Sequence, residues 1–136
     1  MSGIRLSPYI NFQGQAREAL EFYQAVLGGE LTLYAVNERG EARAAEPGER
    51  IGLGTLAAEG AVIFATDGHP LHPAQVGENM AVYLSGSEKG RIAALFTALA
   101  EGGKVKGRMT PQPWGGETGY LADKFGVNWI VRVEVE

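Results

Sequence analysis

The sequence has no cysteine and only two histidines among its 136 residues. The lack of thiols excludes disulfides, cysteine nucleophiles and thiolate metal sites. It also lacks a cluster of basic residues and carries a net charge of −4. A nucleic-acid partner is therefore not expected, because proteins that bind the phosphate backbone collect lysine and arginine on one face. Since no apolar run is long enough for a membrane span or a signal peptide, we expect a cytoplasmic protein with no membrane partner.

The composition that is present is that of a globular domain. Hydrophobic residues make up 45% and charged residues 21% of the chain, close to the average of folded proteins. A chain of 136 residues suits a single domain with its own core. Glycine is abundant, with 20 residues against six prolines. Because the glycines occur singly or in pairs between patterned segments, they predict many short elements joined by turns.

The two halves of the chain resemble each other. When Tyr9 is aligned with Tyr83, the helix-forming segments overlap and the pair Gly28 and Gly29 falls on Gly102 and Gly103. A different offset aligns residues 59–64 with residues 125–130. The first half therefore carries about eight extra residues, which coincide with a polar stretch without periodicity. We refer to this stretch, residues 37–50, as the arm.

Each half has the pattern strand, helix, strand, strand, strand. Apolar residues recur at three- and four-residue spacing before each Gly-Gly pair, which predicts one amphipathic helix per half. The predicted strands cover residues 9–13, 31–36, 51–57 and 61–67, then 79–84, 104–109, 118–123 and 128–135. This order predicts an α+β domain over residues 1–136, with module one at 8–67, a connector at 68–77 and module two at 78–136.

The opening segment, the A-T-D at residues 65–67 and the closing P-W-G-G-E-T-G-Y-L-A-D-K-F-G-V-N-W resemble a known family. The chain is similar to the PhnB-like branch of the vicinal-oxygen-chelate (glyoxalase/bleomycin-resistance/dioxygenase) superfamily. The resemblance implies two β-α-β-β-β modules, each with one helix, forming a curved eight-stranded mixed sheet around a cavity, usually in a homodimer. Some members are labelled demethylubiquinone methyltransferases, but the sequence has no glycine-rich loop between a strand and a helix of a doubly wound unit.

The superfamily's enzymes bind a divalent metal through His, Glu or Gln on the cavity side. The resemblance puts those positions within residues 8–11 and at Leu53, Phe64, Asn79 and Ile130. Amides and hydrocarbons replace the expected ligands there, so neither the metal nor another cofactor is expected. His69 and His72 lie with Asp67 near the connector. They suggest either a small metal site or, as we favour, an extended solvated linker.

The candidate ligand-binding residues are aromatic or carry amides. Trp114 lies in a Pro- and Gly-rich loop, where it either stacks on a ligand or fills the core. Trp129 alternates with Ile130, so one of the two faces the cavity, and core packing is the favoured interpretation for Trp129. Inward-facing amides would bind a ligand, since buried amides need partners. The full set is Tyr9, Asn11, Phe64, Asn79, Trp114 and Trp129.

Three functions are compatible with these features. The favoured one is a metal-free, dimeric protein that binds a small organic molecule. The first alternative is an enzyme of the same superfamily, a lyase, isomerase or transferase with an atypical or absent metal site. No catalytic residue is assigned, because no nucleophile with a neighbouring base is evident. The other alternative is a partner-binding module that uses the arm, which we expect to be a mobile hairpin tip or a dimer-crossing segment outside the core.

Overall fold

The computed structural model describes residues 5–69 and 73–135, and the chain divides into two compact units between Ala74 and Gln75. The N-terminal unit contains β1 (Tyr9–Asn11), α1 (Ala16–Leu27), β2 (Glu30–Val36), β3 (Ala42–Ala44), β4 (Leu53–Ala58) and β5 (Ala61–Thr66). The C-terminal unit contains β6 (Val82–Gly86), α2 (Lys89–Ala100), β7 (Lys104–Pro111), β8 (Glu117–Ala122) and β9 (Asn128–Val133). The α+β class and the repeated β-α-β-β-β order are confirmed.

Each unit forms one mixed sheet. The strand order is β1-β5-β4-β2-β3 in the N-terminal unit and β6-β9-β8-β7 in the C-terminal unit. In both units the first strand runs parallel to the last, and the other pairs are antiparallel. Tyr9 lies opposite Phe64, and Tyr83 lies opposite Ile130. The internal repeat of the sequence is therefore also a repeat of strand register.

The strand count differs from the expected eight-stranded sheet, because the described residues form nine strands in two sheets. The additional strand, β3, belongs to the arm and pairs with β2, with Tyr34 opposite Ala44. The hairpin turns at Asn37, whose Oδ1 accepts hydrogen bonds from the backbone N–H groups of Arg39 and Glu41. All three residues of β3 are exposed. The arm is thus a hairpin outside the core, and its short pairing gave no alternation that the sequence could reveal.

Each helix covers one face of its own sheet, over a glycine in a strand. A Cβ at Gly54 in β4 would lie 2.5 Å from Cδ1 of Leu20 in α1. A Cβ at Gly119 in β8 would lie 2.7 Å from Cε1 of Phe96 in α2. The missing side chains therefore allow the close approach of helix and sheet. The core of each unit is formed by buried residues of the helix and of the sheet face beneath it. They are Ala16, Ala19, Leu20, Tyr23, Leu56, Ile63 and Ala65 in the N-terminal unit, and Ile92, Phe96, Leu99, Leu121, Trp129 and Val131 in the C-terminal unit.

The two helices have 12 residues each. A membrane span needs about 20 apolar residues. Among the described residues, no helix therefore has the length and apolar character to cross a bilayer.

Asp67 ties three segments of the N-terminal unit together. Its side chain is only 5% exposed and directly follows β5. Oδ1 accepts a hydrogen bond of 2.8 Å from the N–H of Ala16, the first residue of α1, and Oδ2 accepts one of 2.7 Å from the N–H of Ile51. The residue before the helix, Gln15, provides no side-chain cap. Asp67 thus serves as the cap of α1 from a distant part of the chain.

Replacing Asp67 by alanine is expected to lower the free energy of unfolding by about 2–6 kcal/mol, because two buried N–H groups lose their acceptor at about 1–3 kcal/mol each. Urea denaturation measures the change. The control, Glu38→Ala, alters an exposed side chain in the arm and should stay within about 0.5 kcal/mol of the wild type. Equal stability of Asp67→Ala and the control would show that Asp67 does not hold these segments.

Candidate ligand-binding site

Within the described residues of the N-terminal unit, no helix lies on the face of the sheet opposite α1. Strand pairing puts Tyr9, Phe64, Thr55 and Thr32 in one row across this face. Asn11 opposite Thr66 and Leu53 opposite Tyr34 occupy the same face one step along the strands. Tyr9 is 62% exposed, and Phe64 and Leu53 are half-buried. We call this surface the N-terminal sheet face; it combines aromatic and aliphatic groups with hydroxyls.

Three of the residues predicted to bind a ligand lie on this face. Tyr9 and Phe64 are direct neighbours across the β1–β5 pair. Asn11 lies at the end of β1, and its Oδ1 accepts a 2.9 Å hydrogen bond from the N–H of Gln13. Its amide also lies against Gly68, where an added Cβ would be 2.4 Å from Nδ2. Asn11 therefore forms the turn in which Gln13 takes a positive φ of 51°, and its side chain is held by that turn.

Asn79 lies outside the strands, because β6 begins at Val82 and Asn79 is an exposed residue of the preceding loop. In this part of the C-terminal unit, the side-chain amide that is fixed by hydrogen bonds is that of Asn128, not that of Asn79. Its Nδ2 donates to the carbonyl of Met80 at 3.2 Å, and its Oδ1 accepts from Nζ of Lys106 at 3.0 Å. Sequence reasoning missed Asn128 because its partners lie far away in the chain.

The two tryptophans occupy opposite environments. Trp114 is 72% exposed at the tip of the β7–β8 hairpin, where the N–H of Gly115 donates to the carbonyl of Gln112 at 2.9 Å. Trp129 is 3% exposed on the helix-covered face of β9, and its Nε1 donates to Oδ2 of Asp123 at 2.9 Å. Trp129 is therefore a core residue, which leaves Ile130 on the uncovered face, and we do not include Trp129 among the proposed ligand-binding residues.

The corresponding uncovered surface of the C-terminal unit, which we call the C-terminal sheet face, has a row of Tyr83, Ile130 and Tyr120. The next row contains Ser85, Arg132 and Thr118. The sequence analysis did not single out Arg132. Alternation along β9 places it beside Ile130 on the same face, which a strand assignment alone could have indicated.

The arm borders a cleft of about 370 Å³ whose lining includes Arg43, Glu49 and Arg50. The Arg43 guanidinium donates hydrogen bonds to Glu49, with Nη1 at 2.8 Å from Oε1. This hydrogen bonding lowers the pKa of Glu49 to about 2 and raises the pKa of Arg43. The stabilisation from the pair is thus present above pH 4.5, the ordinary pKa of Glu49, and is lost as the pH falls towards 2. Because the two charges satisfy each other, this cleft is a weaker candidate site than the sheet faces.

The residues present do not fit the divalent metal that the superfamily resemblance implies. Within residues 5–69 and 73–135, no three His, Asp or Glu side chains form a group that could hold a metal ion. Hydrocarbon side chains occupy Leu53, Phe64 and Ile130. Both carboxylate oxygens of Asp67 accept backbone N–H groups. His69 is exposed and His72 lies outside the described residues, so a site of Asp67 with the two histidines gains no support from the structure.

Comparison with known proteins assigns the fold and then the family. Solved structures described as a glyoxalase-related enzyme from Fulvimarina pelagi and a glyoxalase/bleomycin resistance protein/dioxygenase family enzyme from Burkholderia phytofirmans share this fold. Their TM-scores are 0.63 and 0.60 at 17% and 14% identity, and the chain covers 89% and 96% of their lengths. The model of the 3-demethylubiquinone-9 3-methyltransferase family matches residues 5–132. The chain therefore belongs to the 3-demethylubiquinone-9 3-methyltransferase family, and it shares the fold of these glyoxalase-related structures.

Individual relatives are similar over nearly their whole length. The protein YjdN from Escherichia coli is 28% identical over 141 residues, which is 94% of both chains. The structure of PA1353 from Pseudomonas aeruginosa is 32% identical with a TM-score of 0.82, covering 98% of this chain and all of that one. A putative 3-demethylubiquinone-9 3-methyltransferase, the PhnB protein from Bacillus cereus, has a TM-score of 0.75 at 19% identity, covering 96% of this chain and all of that one.

The methyl transfer in the family's description has no counterpart in the described residues. Cofactor sites of doubly wound proteins lie at the carboxyl ends of parallel strands, next to a glycine-rich loop that leads into a helix. Here each sheet has only one parallel pair, β1 with β5 and β6 with β9. The family membership therefore establishes ancestry and fold, and the function must be argued from the site.

The expectation that the protein binds no divalent metal can be tested by direct measurement. Wild-type protein purified without chelators should contain only substoichiometric zinc, nickel, iron or manganese by elemental analysis, because its sheet faces lack a ligand set. The triple variant Tyr83→His, Ile130→Glu, Tyr120→His puts three ligands in one cross-strand row and should gain stoichiometric metal. Ile130→Glu alone, with one ligand, is the control. Stoichiometric metal in the wild type would contradict the expectation.

Proposed function

We propose that this protein binds a small organic molecule on the N-terminal sheet face, without the metal that is usual in its superfamily. The observation that carries the proposal is the pair of Tyr9 and Phe64, side by side on the face of the N-terminal sheet opposite α1. Leu53 and Tyr34 extend the apolar surface along the same face. Ligand sites in proteins are mostly apolar and aromatic with a few polar groups that orient the ligand.

The polar groups in these two rows favour binding over catalysis. They are the hydroxyls of Thr32, Thr55, Thr66, Tyr9 and Tyr34 and the amide of Asn11. Carboxylate and imidazole groups, the most common general acids and bases, are absent from these two rows. The rows therefore favour orientation of a bound molecule over proton transfer. For this reason the enzyme alternative is not the function that we propose.

Trp114 extends the proposal to the C-terminal unit. A tryptophan that is mostly exposed at a hairpin tip offers a large flat surface at low conformational cost. We propose it as a residue that stacks on a ligand, while Asn79, an exposed loop residue, would contribute at most a peripheral hydrogen bond.

The uncharged dye Nile red tests the N-terminal sheet face. The wild type should enhance and blue-shift the fluorescence of the dye at micromolar protein, and the variant Tyr9→Ala, Phe64→Ala should bind it at least about tenfold more weakly, because two aromatic contacts are removed. Leu6→Ala is the matched control, since Leu6 is 95% exposed and outside the strands. Urea unfolding of each variant checks that the fold persists. Equal dye affinity for the double variant and the control would overturn the proposal.

We also propose that the protein forms a homodimer. Large apolar side chains outside the strands, among them Val76, Met80 and Val135, are also exposed, and exposed apolar surface favours association. The sheets also have open edge strands, at β1 and β3 and at β6 and β7, which proteins often cover by pairing or packing. Sedimentation velocity at micromolar concentration should give twice the 14.5 kDa chain mass. A single species of monomer mass would contradict the dimer.

A further inference from the structure

Arg132 is a cation on a sheet face that supplies it with no counter-charge. It lies in β9 between Ser85 of β6 and Thr118 of β8. Nη1 donates to Oγ1 of Thr118 at 3.3 Å, and Nη2 donates to the carbonyl of Gly115 at 3.1 Å. Both acceptors are neutral. Arg132 is half-buried, so its guanidinium is partly withdrawn from water without an ion pair among the described residues.

Within the described residues, the nearby carboxylates have no recorded ion pair with Arg132. Glu117 lies opposite Val133, on the helix-covered face, and its Oε2 is 2.7 Å from Nζ of Lys89. Glu134 is an exposed residue beyond the end of β9. Other charges near the C-terminal sheet face are mainly positive, since Lys104 lies opposite Ala122 and Lys106 donates to Asn128. Lys106 also has the carboxylate of Glu78 at 3.5 Å. The C-terminal sheet face therefore carries more positive than negative charge, although Lys106 is paired with Glu78.

The hairpin between β7 and β8 holds the guanidinium in place. Gly116 has a φ of 74°, and a Cβ there would lie 3.2 Å from Nη2 of Arg132 and 2.3 Å from the carbonyl oxygen of Val133. Only glycine allows this close approach. The turn thus lies against one side of the guanidinium and provides the carbonyl of Gly115 as its fixed acceptor. A cation held in this way is preorganised, which lowers the entropic cost of binding.

The guanidinium keeps donors for an additional partner. A guanidinium has five N–H groups, and the described contacts of Arg132 occupy one on each Nη. Every buried side-chain nitrogen and oxygen in the described residues has a hydrogen-bond partner. Since the described residues supply none for Nε, that atom must reach solvent. Nε and one remaining Nη donor form the edge with which arginine binds two oxygens of one anion.

An apolar row runs beside this cation. Ile130 precedes Arg132 by two residues in β9, so the two side chains emerge on the same face about 7 Å apart. Tyr83 and Tyr120 flank Ile130 on the neighbouring strands, and both are exposed. The ring of Tyr120 also extends over Gly107, where a Cβ would be 3.0 Å from Cδ2. The row is therefore a flat aromatic and aliphatic surface next to a guanidinium that can donate hydrogen bonds to an oxyanion.

We propose that the C-terminal sheet face binds a small amphipathic anion, with its oxyanion at Arg132 and its flat apolar body on Tyr83, Ile130 and Tyr120. The hydroxyl of Ser85, opposite Arg132 in the neighbouring strand, lies where it can donate to the same oxyanion. This proposal rests on residues of the C-terminal unit alone and does not depend on the function proposed for the N-terminal sheet face. The chemistry at Arg132 suits a carboxylate or a phosphate, because both present two oxygens to a guanidinium edge.

The test compares three probes of the same size: naphthoate, naphthyl phosphate and uncharged naphthamide. Isotope-labelled wild-type protein is titrated with each by NMR, and the Nε–H resonance of Arg132 reports contact with the oxyanion directly. At least one anion should shift this resonance and bind about tenfold more tightly than naphthamide, because a hydrogen bond to a charged group is lost in the amide. The anion that binds more tightly shows whether the site prefers a carboxylate or a phosphate group.

Arg132→Gln should remove the preference for the anion over naphthamide. Arg132→Lys should retain part of this preference, because lysine keeps the positive charge but cannot donate two parallel hydrogen bonds to one anion. Arg108→Gln is the matched control, because Arg108 is an exposed arginine in β7 of the same sheet. It should bind as the wild type does. The proposal is overturned if neither anion shifts the Nε–H of Arg132, if naphthamide binds the wild type as tightly, or if Arg132→Gln keeps the preference. Nile red binding at the N-terminal sheet face, measured on the same variants, should not change.

Discussion

The structure depends on one constraint: each sheet has two faces, and each unit has a single helix to cover them. Close packing of α1 over Gly54 and of α2 over Gly119 completes the core on one side. The residues that alternate with the core positions are left on the other side. On that side a soluble domain would ordinarily place polar residues, whereas this chain places Tyr9 and Phe64 in one unit and Tyr83 and Ile130 in the other. These apolar groups are the surfaces on which both binding proposals rest.

The two units use this arrangement with different chemistry. Both have an aromatic side chain on the first strand, opposite a large apolar one on the last strand. In the N-terminal unit the neighbouring polar groups are threonine hydroxyls and an amide, all neutral. In the C-terminal unit a guanidinium lies next to the apolar row, held by a hairpin carbonyl and Thr118. The repeat therefore preserves backbone and register, while the side chains beside the apolar pair differ in charge, and the two proposed ligands differ for that reason.

The same logic accounts for the poor fit of this chain to a divalent metal. The strands bring the positions that the superfamily resemblance implies for metal ligands to the faces opposite the helices, where Leu53, Phe64 and Ile130 cannot coordinate an ion. The carboxylates with the most buried positions, Asp67 and Asp123, are used to hold the backbone. Asp67 accepts the N–H groups of Ala16 and Ile51, and Asp123 accepts those of Phe125 and Val127 together with the Trp129 indole. These two buried carboxylates thus stabilise the fold.

The sequence by itself determined the repeat, the two helices and the order of elements apart from β3, because each of these follows from periodicity or from turn-forming residues that are neighbours in the chain. Only the tertiary structure decided which side of each strand is covered. That depends on register and on helix placement, which local patterns do not contain. For this reason Trp129 was separable from Ile130 only once β9 had a helix on one side. Asn79 was predicted on a strand that begins later, β3 was missed, and Arg132 became visible as a candidate only when the distant Gly115 and Thr118 were found beside it.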